Sequence, residues 1–173
     1  TGHTSMPDPL ALVCSLVKPL SKALEKALTL GVRSDRHNLV EELAMAGRIQ
    51  AEILPARAPQ VRGWDFAARL VPALETSGDF YDFIRLPNNN LGVVIADVSD
   101  KGMGAALFMA LSSTLVRTYA SQYATLPSFA LGMANERILL DTRSCMFVSA
   151  LYGVLESDTG RMRFVNAGHN PPY

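Results

Sequence analysis

The chain has 173 residues, 49% of them hydrophobic, which is enough for one domain with a real core and an accessory segment. Sixteen basic and sixteen acidic side chains give a net charge of zero, so the balance favours neither nucleic acid nor an anionic membrane as a partner. No apolar run approaches the roughly 18 residues of a membrane span, and no signal peptide is visible. We therefore expect a globular cytoplasmic protein.

Residues 1–57 are expected to form a separate helical segment, because no Phe, Trp or Tyr occurs before Trp64. Apolar residues recur there at helical spacing, and Ser34 or Asp35 is expected to cap a second helix that stops at Pro55. The apolar stripes of these helices predict a homodimer. The alternative is an antiparallel hairpin that packs on its own chain.

Residues 58–173 are expected to form an α+β domain. A period-two pattern predicts a strand over residues 64–70, and a hairpin of two strands follows at residues 80–86 and 91–97, joined by a Pro-Asn-Asn-Asn turn. Cys145 is expected to be a reduced core residue in a later strand. The remaining elements are two helices followed by two strands, at residues 104–123, 129–141, 145–156 and 161–166.

Two aspartates, Asp79 and Asp97, lie about equally far from the turn of the predicted hairpin, so we expect them at the same end of the sheet. Two carboxylates brought close together repel each other unless a divalent cation lies between them. Such oxygen ligands favour magnesium, manganese or calcium over zinc. From spacing alone a second possibility stays open, in which both aspartates cap loops by bonding backbone N–H groups.

Directly after the second strand of the hairpin, a loop leads into the N-terminus of a predicted helix. Ser99, Asp100 and Gly102 lie in this loop, which is suited to cations and phosphate but has the glycine spacing of neither a Walker A sequence nor a dinucleotide fingerprint. Asp82 is either a supporting acceptor or, alternatively, a polar residue on an exposed strand face. His169 lies among turn formers and is expected to be structural rather than catalytic.

Five strings occur in a fixed order along the chain and carry a resemblance. They are Arg48-Ile-Gln-Ala-Glu-Ile-Leu-Pro, Ser77-Gly-Asp-Phe-Tyr-Asp, Asp97-Val-Ser-Asp-Lys-Gly, Ala105-Ala-Leu-Phe-Met-Ala and Asn166-Ala-Gly-His-Asn-Pro-Pro. Together they resemble the SpoIIE/RsbU-type branch of the PPM metal-dependent Ser/Thr protein phosphatases, over roughly residues 44–173. The resemblance implies an antiparallel β-sandwich flanked by helices and preceded by a helical linker.

By this resemblance the intact protein uses two manganese or magnesium ions to activate a water that attacks phosphoserine or phosphothreonine, so no enzyme nucleophile is required. Asp97 would bridge the two ions, the Val98 carbonyl would join one, and Asp79 would supply another carboxylate. The residues expected around these ligands are Asp82, Ser99, Asp100, Gly102 and His169.

The usual substrates of this branch are phosphorylated anti-anti-sigma-type proteins in bacterial partner-switching pathways, which regulate sigma factors and the stress response. The helix ending at Pro55 resembles the family's linker helix, which joins a sensor domain to the phosphatase and can switch its activity; Arg48, Gln50, Leu54 and Pro55 are its expected regulatory residues. The main alternative is a non-catalytic PPM-like module that docks a signalling partner. A purely dimerising helical module is the third possibility.

The sequence departs from the family pattern in two places. Ser77-Gly-Asp stands where Gly-Gly-Asp is usual, which keeps the glycine beside the carboxylate. Family members also continue after the Asn-Pro-Pro loop with two further metal-binding aspartates, whereas this chain stops at Tyr173. We therefore expect the chain as given to bind metal weakly or not at all and to have little or no activity, while the intact protein is a phosphatase.

Overall fold

The structure, a computed structural model, describes Lys22, Lys26 and residues 37–142 and 145–173. Most of the segment in which the sequence predicts a first helix therefore lies outside the described residues, as do the predicted caps of the second helix. The homodimer through these helices and the domain boundary near residue 57 stay predictions.

Two compact units divide the chain, Thr1–Glu42 and Leu43–Tyr173. Residues 37–53 are helical, and we call this helix α1; only its part from Leu43 onward belongs to the second unit. In the first unit, His37 Nε2 lies 3.2 Å from Glu41 Oε1, one helical turn away. The predicted stop of this helix just before Pro55 is confirmed to within two residues.

Four strands of the second unit form one antiparallel sheet in chain order, β1-β2-β3-β4. Two helices, α2 (Met103–Gln122) and α3 (Pro127–Asp141), connect the second strand to the third. This arrangement confirms the predicted α+β class. The strands are β1 (Phe80–Arg85), β2 (Asn90–Val98), β3 (Val148–Glu156) and β4 (Arg161–Ala167).

The hairpin of β1 and β2 is closed by the predicted asparagine turn. Asn88 and Asn89 have φ angles of 58° and 57°, and asparagine tolerates this left-handed region better than most residues. Two such residues in succession make the mirror-image turn whose twist matches that of paired strands. The turn fixes a register in which Phe80 faces Ala96 at the far end of the hairpin.

One face of the sheet is covered by helices, because α2 packs on β1 and β2 and α3 packs on β3 and β4. Alternate strand residues point to this side, and each large apolar side chain buried there stabilises the fold by about 1.5–3 kcal/mol. Small helix residues let the backbones approach closely. The core includes Phe80, Ile84, Val94, Val98, Tyr152 and Val154 from the sheet and Ala105, Ala120, Ala130 and Ala134 from the helices.

The other face of the sheet carries exposed apolar side chains, including Ile95 at 47% and Phe164 at 56% exposure. We call it the open face. The second sheet of the expected sandwich is not found among residues 37–142 and 145–173, which contain this one sheet.

The predicted strand at residues 64–70 is wrong, because this segment joins no ladder and makes only an isolated bridge between Val61 and Trp64. Its alternation has another cause. Trp64 stacks on Phe66 with ring centroids 6.3 Å apart, and Phe66 meets the edge of Phe83 in β1 at 5.8 Å. Trp64 Nε1 also donates to Ser157 O at 2.9 Å. The period of two reflects rings packed on the edge of the sheet rather than strand pairing.

Cys145 is exposed and precedes β3, so its predicted place in the core is wrong. The apolar run continues upstream of the strand, but the sheet pairing begins only at Val148. In the part of the chain that the structure describes, no helix is both long and apolar enough to cross a bilayer.

Candidate functional site

Two carboxylates meet at the end of the open face where β1 begins and β2 ends. Asp79 precedes Phe80 and Asp97 follows Ala96, and the register pairs Phe80 with Ala96. Partial burial raises the pKa of Asp79, and so do a hydrogen bond to the Asp97 side chain and the charge of Asp97, while His169 opposes the shift. The two carboxyl groups therefore lie close enough to interact, and the repulsion between two like charges disfavours ionisation of Asp79.

A polar row continues from these carboxylates across β3 to the loop after β4. Ser149 is the register partner of Asp97, and its Oγ lies 2.9 Å from His169 Nδ1. Asn166 fixes this loop, because its Oδ1 accepts from the His169 N–H at 2.8 Å and its Nδ2 donates to His169 O at 2.9 Å. The structure thus brings the predicted residues Asp79, Asp97 and His169 together.

The same three residues line one end of a cavity of about 1050 Å³ on the open face. Most of the remaining lining is apolar and includes Trp64 and Ile95. The carboxylates therefore form the polar end of a mainly apolar cavity, where charges are less well solvated than in water.

Val98 ends β2 with its side chain buried in the core. Its carbonyl is closely approached by the backbone of Gly78, because a Cβ atom added at position 78 would stand 3.1 Å from Val98 O. The glycine of the Ser-Gly-Asp string therefore allows the segment that carries Asp79 to lie directly against the end of β2.

The loop that follows Val98 is held by its own polar groups. The Ser99 N–H donates to Phe147 O at 2.8 Å, and Ser99 Oγ accepts from the Phe147 N–H at 2.9 Å. Asp100 has a φ of 82°, and its Oδ1 accepts from the Lys101 N–H at 2.8 Å. Gly102, with a φ of 80°, is the N-cap residue of α2. These contacts give the three predicted loop residues a role in shaping the turn between β2 and α2.

Asp82 lies apart from the carboxylate pair, on the face of the sheet that the helices cover. It is 4% exposed, and its Oδ1 accepts from Arg117 Nη2 in α2 at 2.8 Å and from the Phe83 N–H at 2.7 Å. Burial raises the pKa of Asp82 more than Arg117 lowers it. The alternative of an exposed strand face is therefore wrong, and a side chain three positions from Asp79 points away from it.

Helix α1 reaches the carboxylate pair through Gln50, a side chain only 8% exposed. Gln50 Oε1 accepts from the Ser77 N–H at 2.8 Å, and its Nε2 donates to Ser77 O at 2.6 Å and to Ala106 O at 3.5 Å. Ser77 Oγ in turn accepts from the Asp79 N–H at 3.0 Å. A continuous chain of hydrogen bonds thus connects α1 to the backbone of Asp79.

Other residues near the end of α1 also contact the domain. Leu54 packs against the core, and Pro55 O accepts from Tyr81 Oη at 3.3 Å. Gly47 lies so close to the Glu75 carbonyl that a Cβ atom there would overlap it. Arg48 is exposed. Of the four predicted linker residues, three therefore make contacts with the domain.

The carboxylate pair fits a divalent cation in the chemistry of its donors. Both groups supply hard oxygen ligands, and a cation between them would relieve the repulsion that contributes to the raised pKa of Asp79. Within the described ranges, no group of three or more His, Cys, Asp or Glu side chains is placed to hold a metal ion. Asp79 and Asp97 thus offer two hard oxygen donors of the kind that divalent cations take in proteins.

Residues 87–173 match the profile of a protein family described as Stage II sporulation protein E (SpoIIE). The chain belongs to the SpoIIE family. The resemblance carried by the five strings is thereby confirmed. The SpoIIE match includes Asp97, Ser149 and His169, whereas Asp79 and α1 precede it.

Two curated relatives extend the similarity towards the N-terminus. Protein IcfG of Synechocystis sp. is 31% identical over 160 residues, which cover 76% of this chain and 25% of IcfG. The phosphoserine phosphatase RsbU of Bacillus subtilis is 28% identical over 142 residues, which cover 82% of this chain and 42% of RsbU. The chain thus spans a quarter of the length of IcfG and less than half of the length of RsbU.

A solved structure of the RsbU and RsbW domains of Rv1364c from Mycobacterium tuberculosis is also similar. It is 27% identical in sequence and superposes with a TM-score of 0.49, covering 64% of this chain and 28% of the other.

The sequence analysis missed Ser149, which belongs to the polar row beside Asp97, and Arg117, which is the ion-pair partner of Asp82 on the other face of the sheet. Ser149 stands in an apolar strand without a local signal, and its position opposite Asp97 follows only from the register of β2 and β3. Arg117 is one of several polar residues on α2, and only the packing of α2 on β1 brings it to Asp82. Both contacts join segments far apart in the SpoIIE chain.

Proposed function

We propose that this chain is part of a metal-dependent protein serine/threonine phosphatase of the cytoplasm. It would dephosphorylate a regulatory phosphoprotein of the anti-anti-sigma type in bacterial partner-switching signalling, which controls sigma factors and stress responses. The observation that carries the proposal is the convergence of Asp79 and Asp97 in a SpoIIE-family chain. A relative named phosphoserine phosphatase, RsbU, supports the reaction class.

In this proposal, two manganese or magnesium ions are held by Asp97 between them, by Asp79, and by the carbonyl of Val98. When bound, such ions supply an activated water and offset the negative charge of the phosphate. The chain's own residues keep the ligands in place: Gln50 holds Ser77, whose hydroxyl accepts from the Asp79 N–H.

His169 is proposed to support the site rather than to act as a nucleophile. Ser149 bonds its Nδ1, and Asn166 bonds both its N–H and its carbonyl, so ring and backbone are fixed at three points. A side chain held in this way keeps a constant distance from the carboxylates. The loop of Ser99, Asp100 and Gly102 is proposed to have the same supporting role, because it fixes the connection between β2 and α2.

The chain as given is proposed to bind metal weakly and to have little activity on its own. Support comes from its two converging carboxylates, which are fewer protein ligands than two divalent ions usually take. The full set of ions, and full activity, would belong to the intact protein.

Residues 1–57 are proposed as a linker and dimerisation segment that connects a sensor domain of the intact protein to the partial phosphatase domain of residues 58–173. The contacts of Gln50, Leu54 and Pro55 with the domain support this role, because any movement of α1 would change them. Arg48, which is exposed, is the linker residue available to a partner or a second copy.

The test is manganese-dependent release of phosphate from a phosphoserine protein of the anti-anti-sigma type. We expect the intact protein to be active, its Asp97→Asn variant to lose at least a hundredfold in rate, by analogy with other losses of transition-state charge stabilisation, and the 173-residue chain to show little activity. Activity of the intact protein that survives Asp97→Asn would overturn the proposed site. Robust activity of the 173-residue chain, abolished by Asp97→Asn, would contradict the weak-activity part alone.

The alternative is a non-catalytic module that docks a signalling partner. It would be favoured if the intact protein bound the phosphoprotein but released no phosphate with manganese or magnesium. The same assay therefore separates the two functions.

A further inference from the structure

A second cavity, of about 330 Å³, lies on the helix-covered side of the sheet, between α2, α3 and the ends of β3 and β4. No acidic or basic side chain lines it. Its polar side chains at the rim, Ser128 and Asn135, are exposed. The apolar part of the lining includes Phe108, Val116, Leu131, Ile138, Val148 and Val165.

Ser112 also lines this cavity. Its side chain is fully buried, and its Oγ has no hydrogen-bond partner in the described part of the chain. This is unusual for α2, since Ser113, Thr114, Thr118 and Ser121 each donate to a carbonyl of their own helix at 2.8–3.1 Å. A buried hydroxyl without a partner is unfavourable, and most such groups are satisfied in folded proteins.

We propose that this cavity binds a small, uncharged, mainly apolar molecule with one hydroxyl or carbonyl group, which hydrogen-bonds to Ser112 Oγ. The volume lies at the lower end of the range of small-molecule sites, roughly 300–1,000 Å³. The lining without charges selects an uncharged molecule. Ser112 is the polar side chain that is buried among the lining residues, so a molecule with one polar group matches it better than a water, which usually makes two to four hydrogen bonds when buried.

The cavity opens to solvent at its rim, where Leu139 and Phe147 are 68% and 67% exposed, so a small molecule can enter there. Phe147 is also the residue whose backbone exchanges hydrogen bonds with Ser99, in the loop after Asp97. The cavity itself lies on the side of the sheet opposite the carboxylate pair. The inference about this cavity thus does not rest on the proposed phosphatase activity.

The test uses two probes of similar shape, p-cresol with a hydroxyl and p-xylene with a methyl in its place, titrated into the 173-residue chain with ¹³C-labelled methyl groups. We expect p-cresol to bind with a dissociation constant of about 1 mM or tighter. The methyl resonances of Leu131, Ile138 and Val165 should shift, and that of Ile95 on the open face should not.

Two variants then isolate the hydroxyl of Ser112. Ser112→Ala should weaken the binding of p-cresol by roughly two- to tenfold, which is the usual effect of losing one hydrogen bond. The same substitution should leave the binding of p-xylene unchanged or make it tighter. Ser113→Ala removes a hydroxyl that is already hydrogen-bonded within the helix, so it should not change the dissociation constant of either probe. Absence of p-cresol binding, shifts confined to the open face, or equal effects of Ser112→Ala on both probes would each overturn the proposal. If a variant does not fold, the methyl chemical-shift changes of the wild-type chain still show whether p-cresol binds in this cavity.

Discussion

Gln50 is the residue that joins α1 to the carboxylate pair. Its amide forms two short hydrogen bonds with the backbone of Ser77, and its replacement would leave both backbone groups unsatisfied in a part-buried place. Since such losses usually cost about 1–3 kcal/mol, we expect Gln50→Ala to lower the free energy of unfolding, measured by urea denaturation, by about 2 kcal/mol.

The control for Gln50 is Glu52→Ala, an exposed residue on the same helix, which should change the free energy of unfolding by less than about 0.5 kcal/mol. If the two variants are equally stable, the hydrogen bonds between Gln50 and Ser77 do not contribute as the structure implies.

Asp82 provides a prediction about pH. Burial raises its pKa above the ordinary value of 3.8, so the folded state binds the proton more tightly than the unfolded state. The stability from this group is fully present below the unfolded-state pKa and is lost as the pH rises through the folded-state pKa. We therefore expect wild type to lose stability relative to Asp82→Asn as the pH is raised from about 3 to about 7. Urea denaturation of both proteins across this range measures the difference.

If the stability difference between wild type and Asp82→Asn stays constant over this range, the ion pair with Arg117 offsets the effect of burial; if it changes in the opposite direction, the ion pair outweighs burial. That outcome is physically reasonable for a fully buried pair, but here Arg117 is half exposed, at 51%, and solvent screens its charge.

At the scale of single residues, the sequence predicted Asp79 and Asp97 correctly as neighbours, because a short asparagine turn sets the register of the whole hairpin. It did not predict Ser149. That residue reaches Asp97 through the pairing of β2 with β3, which depends on two intervening helices, and no local pattern encodes a register set at that distance. Asp82 was expected either beside the metal ligands or on an exposed strand face, because a single charge in a strand suggests solvent or a ligand; its burial against Arg117 depends on the packing of α2 on β1.

Helices α1 and α3 offer a matched pair of glycine substitutions. Gly132 lies within α3, and a Cβ atom added there would meet nothing within 4 Å, so Gly132→Ala should stabilise the protein by about 0.5–1 kcal/mol through helix propensity. Gly47 lies within α1, where a Cβ atom would overlap the Glu75 carbonyl. Gly47→Ala should therefore destabilise by about 1–3 kcal/mol despite the same gain in propensity.

Thermal or urea unfolding of the two variants checks these opposite signs. A stabilising Gly47→Ala would mean that α1 does not lie against residues 75–77 in solution. The packing of α1 on the domain would then be wrong, and so would the chain of hydrogen bonds from Gln50 through Ser77 to Asp79.

At the scale of elements, the end of α1, the helices α2 and α3 and the four strands were predicted to within a few residues, because each is an apolar or periodic run bounded by turn formers. The strand at residues 64–70 was not, since Trp64 and Phe66 alternate for a different reason: their rings pack on one another and on Phe83. Cys145 was placed in the core because the apolar run before β3 extends beyond the paired residues. An alternating apolar pattern predicts which side chains are covered, but it does not predict whether the backbone pairs in a sheet.

At the scale of the whole second unit, the two faces of the sheet have different roles. The helix-covered face contains the core and the small cavity at Ser112. The open face contains the larger cavity, with Asp79, Asp97 and His169 at its polar end. The proposed function therefore requires that the carboxylate pair on the open face be part of a divalent-cation site.

Paramagnetic broadening by manganese of amide resonances in the 173-residue chain tests this claim most directly, since it detects weak binding. We expect broadening centred on Asp79, Asp97 and Val98, abolished by Asp97→Asn and retained by Asp158→Asn, a substitution in the turn between β3 and β4. Broadening centred elsewhere, or unchanged by Asp97→Asn, would contradict the proposed site.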